Sequence, residues 1–338
     1  MERSNFPSNM EKTAQNFKPL FCWLWAVAGM IVIMAVIGAI TRLTESGLSI
    51  TEWQPVKGFL PPLHQADWEK AFEGYKQIPE FQQQNSWMSL DDFKNIYWWE
   101  WIHRFWGRLI GIAYALPLLF FWVRGMVPQN FKLPLLGILL LGGTQGVMGW
   151  FMVMSGLSER LDVSHYRLAA HLMLAFILYV CVLLTIFKLQ GRTTVKGKTL
   201  HWLFALLLLV MVWGAFTAGL NGGLLYNTYP KMGAGYIPVE LHQPFAFLDN
   251  PAGVQFVHRW LATILAGLLL YTGWARKNYM LMAVALIQPT LGIFTLLFAV
   301  PVWLGALHQL GAFILGGVLL HAIYGGNNQD RLQQRASL

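Results

Sequence analysis

VIGAITRLTESGLSITEW, residues 36–53, returns as VWGAFTAGLNGGLLYNTY at residues 212–229. At an offset of 176, Gly38, Thr41, Gly47 and Leu48 meet Gly214, Thr217, Gly223 and Leu224. Three further echoes follow in the same order. WEWIHRFWGR (99–108) answers to VQFVHRWLAT (254–263), which aligns His103 and Arg104 with His258 and Arg259. TQGVMGW (144–150) answers to IQPTLGI (287–293) through Gln145/Gln288 and Gly149/Gly292, and AAHLMLAFIL (169–178) to ALHQLGAFIL (306–315) through His171 and His308. One such match carries little weight, but four in order make an internal duplication.

The chain around this repeat is 56% hydrophobic and only 12% charged, with a mean hydropathy of +0.46, against about 25% charged in soluble domains. Apolar runs near 20–41, 99–122, 134–154, 168–187, 200–220, 255–274, 280–299 and 304–324 each reach the length of about 20 residues that crosses a bilayer core. The expected fold is all-α: a polytopic membrane protein whose eight transmembrane helices form two pseudo-symmetric four-helix bundles. Because four spans separate the halves, both have the same orientation. The expected division is an N-terminal tail (1–19), a first bundle (20–190) with a long outer loop (42–98), a linker (191–199), a second bundle (200–324) and a C-terminal tail (325–338).

Thirteen Lys and Arg fall in the segments 1–19, 123–133, 188–199, 275–279 and 325–338, against eight in the much longer opposite connections, which hold most of the acids. By the positive-inside rule both termini are cytoplasmic. The net charge of +8 then suits anionic lipid headgroups, and no nucleic-acid motif accompanies it. The N-terminal stretch matches neither a signal peptide nor an Arg-rich transit peptide, so a bacterial inner membrane is the simplest home. Cys22 and Cys181 both fall inside predicted helices, outside any loop where a disulfide would form, and read as buried small apolar residues.

His103, His171, His258 and His308 open the second and fourth helix of each half, at a similar depth near the outer surface. A lone histidine on an apolar helix argues nothing. One pair per half on neighbouring helices of a four-helix bundle is a way to hold a cofactor in the bundle core, and two facing imidazoles suit the axial positions of a heme iron. Zinc would want three or four clustered ligands, and no HxxxH, HxH or CxxC occurs beside them. Gly107, Ala262, Ala175 and Ala312, each four residues after its histidine, leave room for a flat macrocycle or for close helix approach. His64 and His242 lie in outer loops, and His201 and His321 near the inner edge. His165 is a candidate support for His171.

Arg104, Arg108 and Arg259 are candidate contacts for heme propionates, the other reading being that Arg104 pairs with Glu100 at i, i+4. Glu100 breaks the symmetry, because at the offset of 155 that superposes His103 on His258 its counterpart is Gln255. A carboxylate inside a membrane helix costs about 2.5–3.5 kcal/mol on insertion scales and usually marks function. The first half therefore reads as reactive and the second as supportive. Glu45 opposite Asn221 repeats the contrast, and the 42–98 loop is expected to cap the first bundle.

The E-x-x-H-R of Glu100 to Arg104, the His258-Arg259 pair, His171, His308 and the first-loop signature TRLTESGLSITEWQPVKGFLPP (41–62) resemble the heme A synthase family, its proteobacterial and mitochondrial branch, over about 20–324. The resemblance implies an eight-helix oxidoreductase that converts the C8 methyl of heme O to a formyl group, giving heme A for terminal oxidases. It implies a heme b cofactor on His258 and His308, heme O as substrate facing His103 and His171, and Glu100 as the essential glutamate. Two hydroxylations with water-derived oxygen would give a gem-diol that collapses to the aldehyde. The cysteine pair found in the first outer loop of many Gram-positive members is absent here. An electron donor or acceptor, docking with the heme O synthase, and homo-oligomerisation are partnerships that no residue pattern identifies, and no residue pattern marks the site of the farnesyl tail. Two rivals remain at this point: a diheme bis-His b-type cytochrome exchanging electrons with quinone, and a transporter using the histidines as a proton relay near the midplane.

Overall fold

In the computed structural model, residues 18–52, 57–156 and 163–327 are described. The expected tails at 1–17 and 328–338, and residues 53–56 of the first-loop signature, lie outside them. Among the described residues, eight helices are long and apolar enough to cross a membrane: α1 (Lys18–Leu43), α2 (Leu90–Val123), α3 (Gln129–Gly156), α4 (His165–Leu189), α5 (Thr199–Gly219), α6 (Pro251–Ala275), α7 (Tyr279–Leu297) and α8 (Val302–Ile323).

The boundaries follow from capping chemistry. Ser89 accepts from the Asp92 amide while the Asp92 carboxylate accepts from the Ser89 amide, a reciprocal box that satisfies two free donors. It starts α2 at Leu90, about nine residues before the apolar run, so the outer loop is shorter than the expected 42–98. Phe93, Ile96 and Tyr97 on those extra turns are buried with Leu48, Trp68, Phe72, Tyr75 and Ile78. The loop thus folds into a cap with its own core, built on the helix Gln65–Lys76. Asn250 caps α6 by accepting from Ala252 and Gly253, with Pro251 at the first helical position, where its missing N–H costs nothing.

Within each half the same adjacencies recur. Helix α1 packs on α2, α2 on α3, α3 on α4 and α4 back on α1; α5 on α6, α6 on α7, α7 on α8 and α8 back on α5. The halves meet along α1, α4, α5 and α8. Leu24, Val27, Val182, Ile186, Leu203, Leu207, Leu315 and Leu319 are buried in the one large core that fills this seam. At its centre Phe176 and Phe313, each five residues after its histidine, meet edge to face at 5.2 Å. Polar ties cross it as well: Gln309 donates to the Ala35 carbonyl, and Arg42 donates to Ala218 O, Gly219 O and Asn221 Oδ1 at the end of α5. By contrast α3 and α7 expose Leu133, Leu140 and Val147, and Leu286, Ile287 and Phe294. An apolar exterior over a packed interior is what a lipid solvent demands.

Cys22 departs from its reading as a buried residue and is exposed. The buried stripe of α1 passes through Leu20, Trp23, Leu24 and Val27, and at 3.6 residues per turn position 22 falls on the opposite, lipid-facing side. A two-residue antiparallel ladder joins Arg192–Thr193, after α4, to Gly326–Asn327, after α8.

The seam depends on glycine where the rings are largest. A Cβ at Gly316 would lie 2.4 Å from Phe176 Cζ, and Phe176 is fully buried. Gly316→Ala is expected to destabilise the protein by about 1–3 kcal/mol through overpacking, read as a lower thermal midpoint in detergent. Adding Phe176→Leu should recover part of the loss.

Candidate functional site: two histidine pairs

Each of the four histidines packs against a glycine on the preceding helix of its half. A Cβ at Gly38 would lie 3.4 Å from His103 Nε2, one at Gly149 3.2 Å from His171 Cε1, one at Gly214 2.9 Å from His258 Cε1 and one at Gly292 2.8 Å from His308 Cε1. Gly38/Gly214 and Gly149/Gly292 are the glycines that the repeat aligned. They let an imidazole lie on bare backbone: a Cβ at Gly214 or Gly292 would displace the ring, one at Gly149 would crowd it, and one at Gly38 would just touch it.

In the second half the rings of His258 and His308 face each other with centroids 6.3 Å apart and planes at 81°. Two metal–imidazole bonds of about 2 Å each, plus the rings' own half-widths, need a spacing on the order of 6 Å, so a single iron fits between them. His258 Nδ1 lies 3.1 Å from Val210 O. Donating that N–H to the carbonyl fixes the ring and leaves Nε2 for a metal. His103 and His171 make no such ring-to-ring approach.

A glutamine accompanies the fourth-helix histidine in both halves. Gln145 Nε2 donates to His171 O and lies 3.3 Å from His171 Nε2; Gln288 Nε2 donates to His308 O and lies 3.3 Å from His308 Nδ1. His171 Nδ1 and the Oε1 atoms of both glutamines are buried with no hydrogen-bond partner. Unsatisfied buried polar groups are rare in folded proteins and point to a missing partner. No group of three or more His, Cys, Asp or Glu side chains suited to a metal ion occurs among the described residues.

Glu100 sits one turn before His103 and is 2% exposed. Its Oε2 accepts from Ser49 Oγ at 2.7 Å and from the Ile50 amide at 2.6 Å, and its Oε1 accepts from Arg104. The i, i+4 pairing of Glu100 with Arg104 is therefore formed. The guanidinium also donates to Ile50 O and Glu52 O. The second half repeats the arrangement at equivalent positions: Arg259 donates to Tyr226 O and Thr228 O, and Gln255 Nε2 to Tyr226 O. Ile50 and Tyr226, like Glu52 and Thr228, are partners at the repeat offset of 176. Arg108 donates to Gly58 O and stacks over Phe59. All three arginines thus strap an outer loop to the helix that carries a site histidine.

His165 belongs elsewhere than behind His171. It is buried at the seam against Gly219, and its Nε2 lies 3.4 Å from the Asp249 carboxylate. Ser49 went unnoticed in the sequence because its partner is 51 residues away and only the folded loop brings them together. Its repeat counterpart is Leu225, an asymmetry that tracks the one between Glu100 and Gln255.

These features agree with what comparison with known proteins returns. A family model described as cytochrome oxidase assembly protein matches residues 21–320. The heme A synthase of Rhodospirillum centenum is 47% identical over 336 residues, covering 93% of this chain and 90% of that protein. The heme A synthase of Parvibaculum lavamentivorans is 43% identical over 93% and 96% of the two chains, and that of Sinorhizobium fredii 41% over 93% and 92%. On a match that runs from the first membrane helix to the last, the chain belongs to the heme A synthase family of cytochrome oxidase assembly proteins.

Proposed function

We propose that this protein oxidises the C8 methyl of heme O to the formyl group of heme A, and that the two halves divide the work. The first half, with His103 and His171, receives heme O. The second, with His258 and His308, holds a resident heme b, which supplies one-electron redox chemistry when bound. The observation that carries this division is the buried Glu100, gripped by Ser49, Ile50 and Arg104 one turn from His103, where the second half has the neutral Gln255.

Turning a methyl into a formyl group with oxygen from water releases four electrons, which must pass to an external acceptor, and four protons, so the site needs a proton acceptor beside the reacting carbon. A carboxylate has about four acceptor positions, and Ser49, Ile50 and Arg104 fill three. The remaining one is on Oε1, which accepts only from Arg104. Glu100 takes a proton from the attacking water there, and its charge stabilises the electron-poor carbon. Ser49 and the Ile50 amide fix the carboxylate so that little reorganisation is needed. The cap over 44–89, with its aromatic core, covers the outer end of this half and limits water entry. Arg104, Arg108 and Arg259, at the same end as the histidines, are the cations available to heme propionates. The remaining assignments are a bacterial inner membrane with both termini cytoplasmic, from the N-terminal stretch and the distribution of Lys and Arg, and a first bundle over 20–190 joined by 191–199 to a second over 200–324, from the apolar runs and the repeat.

The decisive test is heme extraction with mass spectrometry after co-expression with a source of heme O. Native protein should yield heme B with heme A or its hydroxylated precursor. Glu100→Gln should bind heme O but turn it over at least about a hundredfold more slowly. Heme B alone, two per chain, in both proteins would make this a diheme electron carrier and refute the proposal.

His258→Ala and His308→Ala should each lose the resident heme, seen as loss of the low-spin absorption of the purified protein. His103→Ala and His171→Ala should keep it while losing heme O. Ser49→Ala is expected to lower kcat about tenfold, the loss of roughly one hydrogen bond to a charged group, with KM little changed and activity recovered in Ser49→Thr.

A further inference from the structure

On the membrane side where α4 ends, α5 begins and α8 ends lies a cavity of about 480 Å³, lined by Gln190, Arg192, His321, Tyr324, Gly325 and Gly326. It is on the opposite side from the histidine pairs and plays no part in the chemistry above. Three of its side chains gather round one buried ring. Arg192 stacks over Phe187 at 5.0 Å, His321 meets it edge to face at 5.9 Å, and Tyr324 lies at 5.9 Å.

Beyond these ring contacts, no hydrogen bond or ion pair reaches the side chains of Gln190, Arg192, His321 or Tyr324 among the described residues. A guanidinium carries five N–H donors in a fork that matches phosphate and carboxylate oxygens, and that of the half-buried Arg192 has no protein acceptor among the described residues. The geometry is built rather than incidental. The ladder of Arg192–Thr193 with Gly326–Asn327 holds the two segments together, and Val195 N donates to Ile323 O. A Cβ at Gly326 would lie 2.8 Å from Thr193 Oγ1, so glycine is needed for the segments to meet.

Charge selects the ligand. This rim of the described protein carries Lys18, Arg124, Lys132, Lys188, Arg192, Lys196, Lys198, Arg276 and Lys277, and no Asp or Glu. Among the described residues of this rim the charges are all of the sign that attracts an oxyanion. Position selects its source, since the cavity opens at the ends of membrane helices, at the depth of lipid headgroups, where basic pockets between helices bind anionic lipids.

We propose that this cavity binds the phosphate of an anionic phospholipid headgroup, through the Arg192 fork with His321, Gln190 and Tyr324 as further polar partners. Arg192 belongs to the segment that leaves the first half, His321 to the last turn of α8 in the second, and Tyr324 directly follows that helix. A bound headgroup therefore staples the halves together on this side.

The test uses the full-length protein in nanodiscs of phosphatidylcholine with or without phosphatidylglycerol. Lipids retained through purification are counted by native mass spectrometry, and the thermal midpoint is measured in both membranes. Native protein should retain phosphatidylglycerol and melt higher when it is present. Arg192→Gln should weaken retention about tenfold, as expected for loss of a charge-assisted contact, with Arg192→Lys intermediate. Lys132→Gln, elsewhere on the same rim, should behave as native. Equal losses in Arg192→Gln and Lys132→Gln would mean a diffuse basic surface and overturn the proposal. Stabilisation by inorganic phosphate in pure phosphatidylcholine, abolished in Arg192→Gln, with no added effect of phosphatidylglycerol, would overturn the lipid assignment in favour of free phosphate.

Discussion

An imidazole laid on the bare backbone of a glycine recurs four times in this molecule, and much of the arrangement around the sites depends on it. In lipid there is no hydrophobic gain from bringing two apolar helices together, so close approach relies on small residues and packing. Gly38, Gly149, Gly214 and Gly292 supply that closeness between the first and second, and the third and fourth, helices of each half. The same closeness sets where each histidine ring can lie. Helix packing and the placement of the imidazoles are therefore one constraint, tightest at Gly214 and Gly292, where an added Cβ would displace the ring.

The outer loops are the second element of the design. In both halves an arginine next to a site histidine reaches up to the backbone carbonyls of the loop that follows the first helix. Because backbone acceptors are present whatever the loop's side chains, the strap is insensitive to loop sequence. What differs is the group beside the strap: a carboxylate with three donors in one half, an amide in the other. Electrostatic character is thereby changed without moving the scaffold, the separation of positioning from chemistry expected where a cofactor or substrate carries the reactive atoms.

Much of this was legible in the sequence. The hydropathy runs place all eight helices, since about 20 apolar residues have few alternative meanings, and the repeat singles out the four histidines that lie against glycines, of which His258 and His308 come into ring contact. The limits are physical. Helix α2 starts at Leu90 because the Ser89–Asp92 cap and the aromatic face of Phe93, Ile96 and Tyr97 extend it beyond the apolar run, and hydropathy ignores both. Cys22 faces outward because in a membrane protein apolar character no longer tells inside from outside. Ser49 and the loop carbonyls that hold Arg104 and Arg259 are contacts across many residues of chain, which no local pattern records. His165 drew attention by lying near His171 in sequence, yet its position at the first turn of α4 turns it to the seam and Asp249.

The Glu100/Gln255 pair also bears on how such a protein can diversify. Glutamate and glutamine are nearly isosteric, and the loop straps survive either one. Exchanging one side-chain atom between the two repeated units therefore changes the charge beside the strap while the strap itself stays in place. A tandem fold of this kind can hold two differently charged sites on one scaffold, with each free to vary on its own.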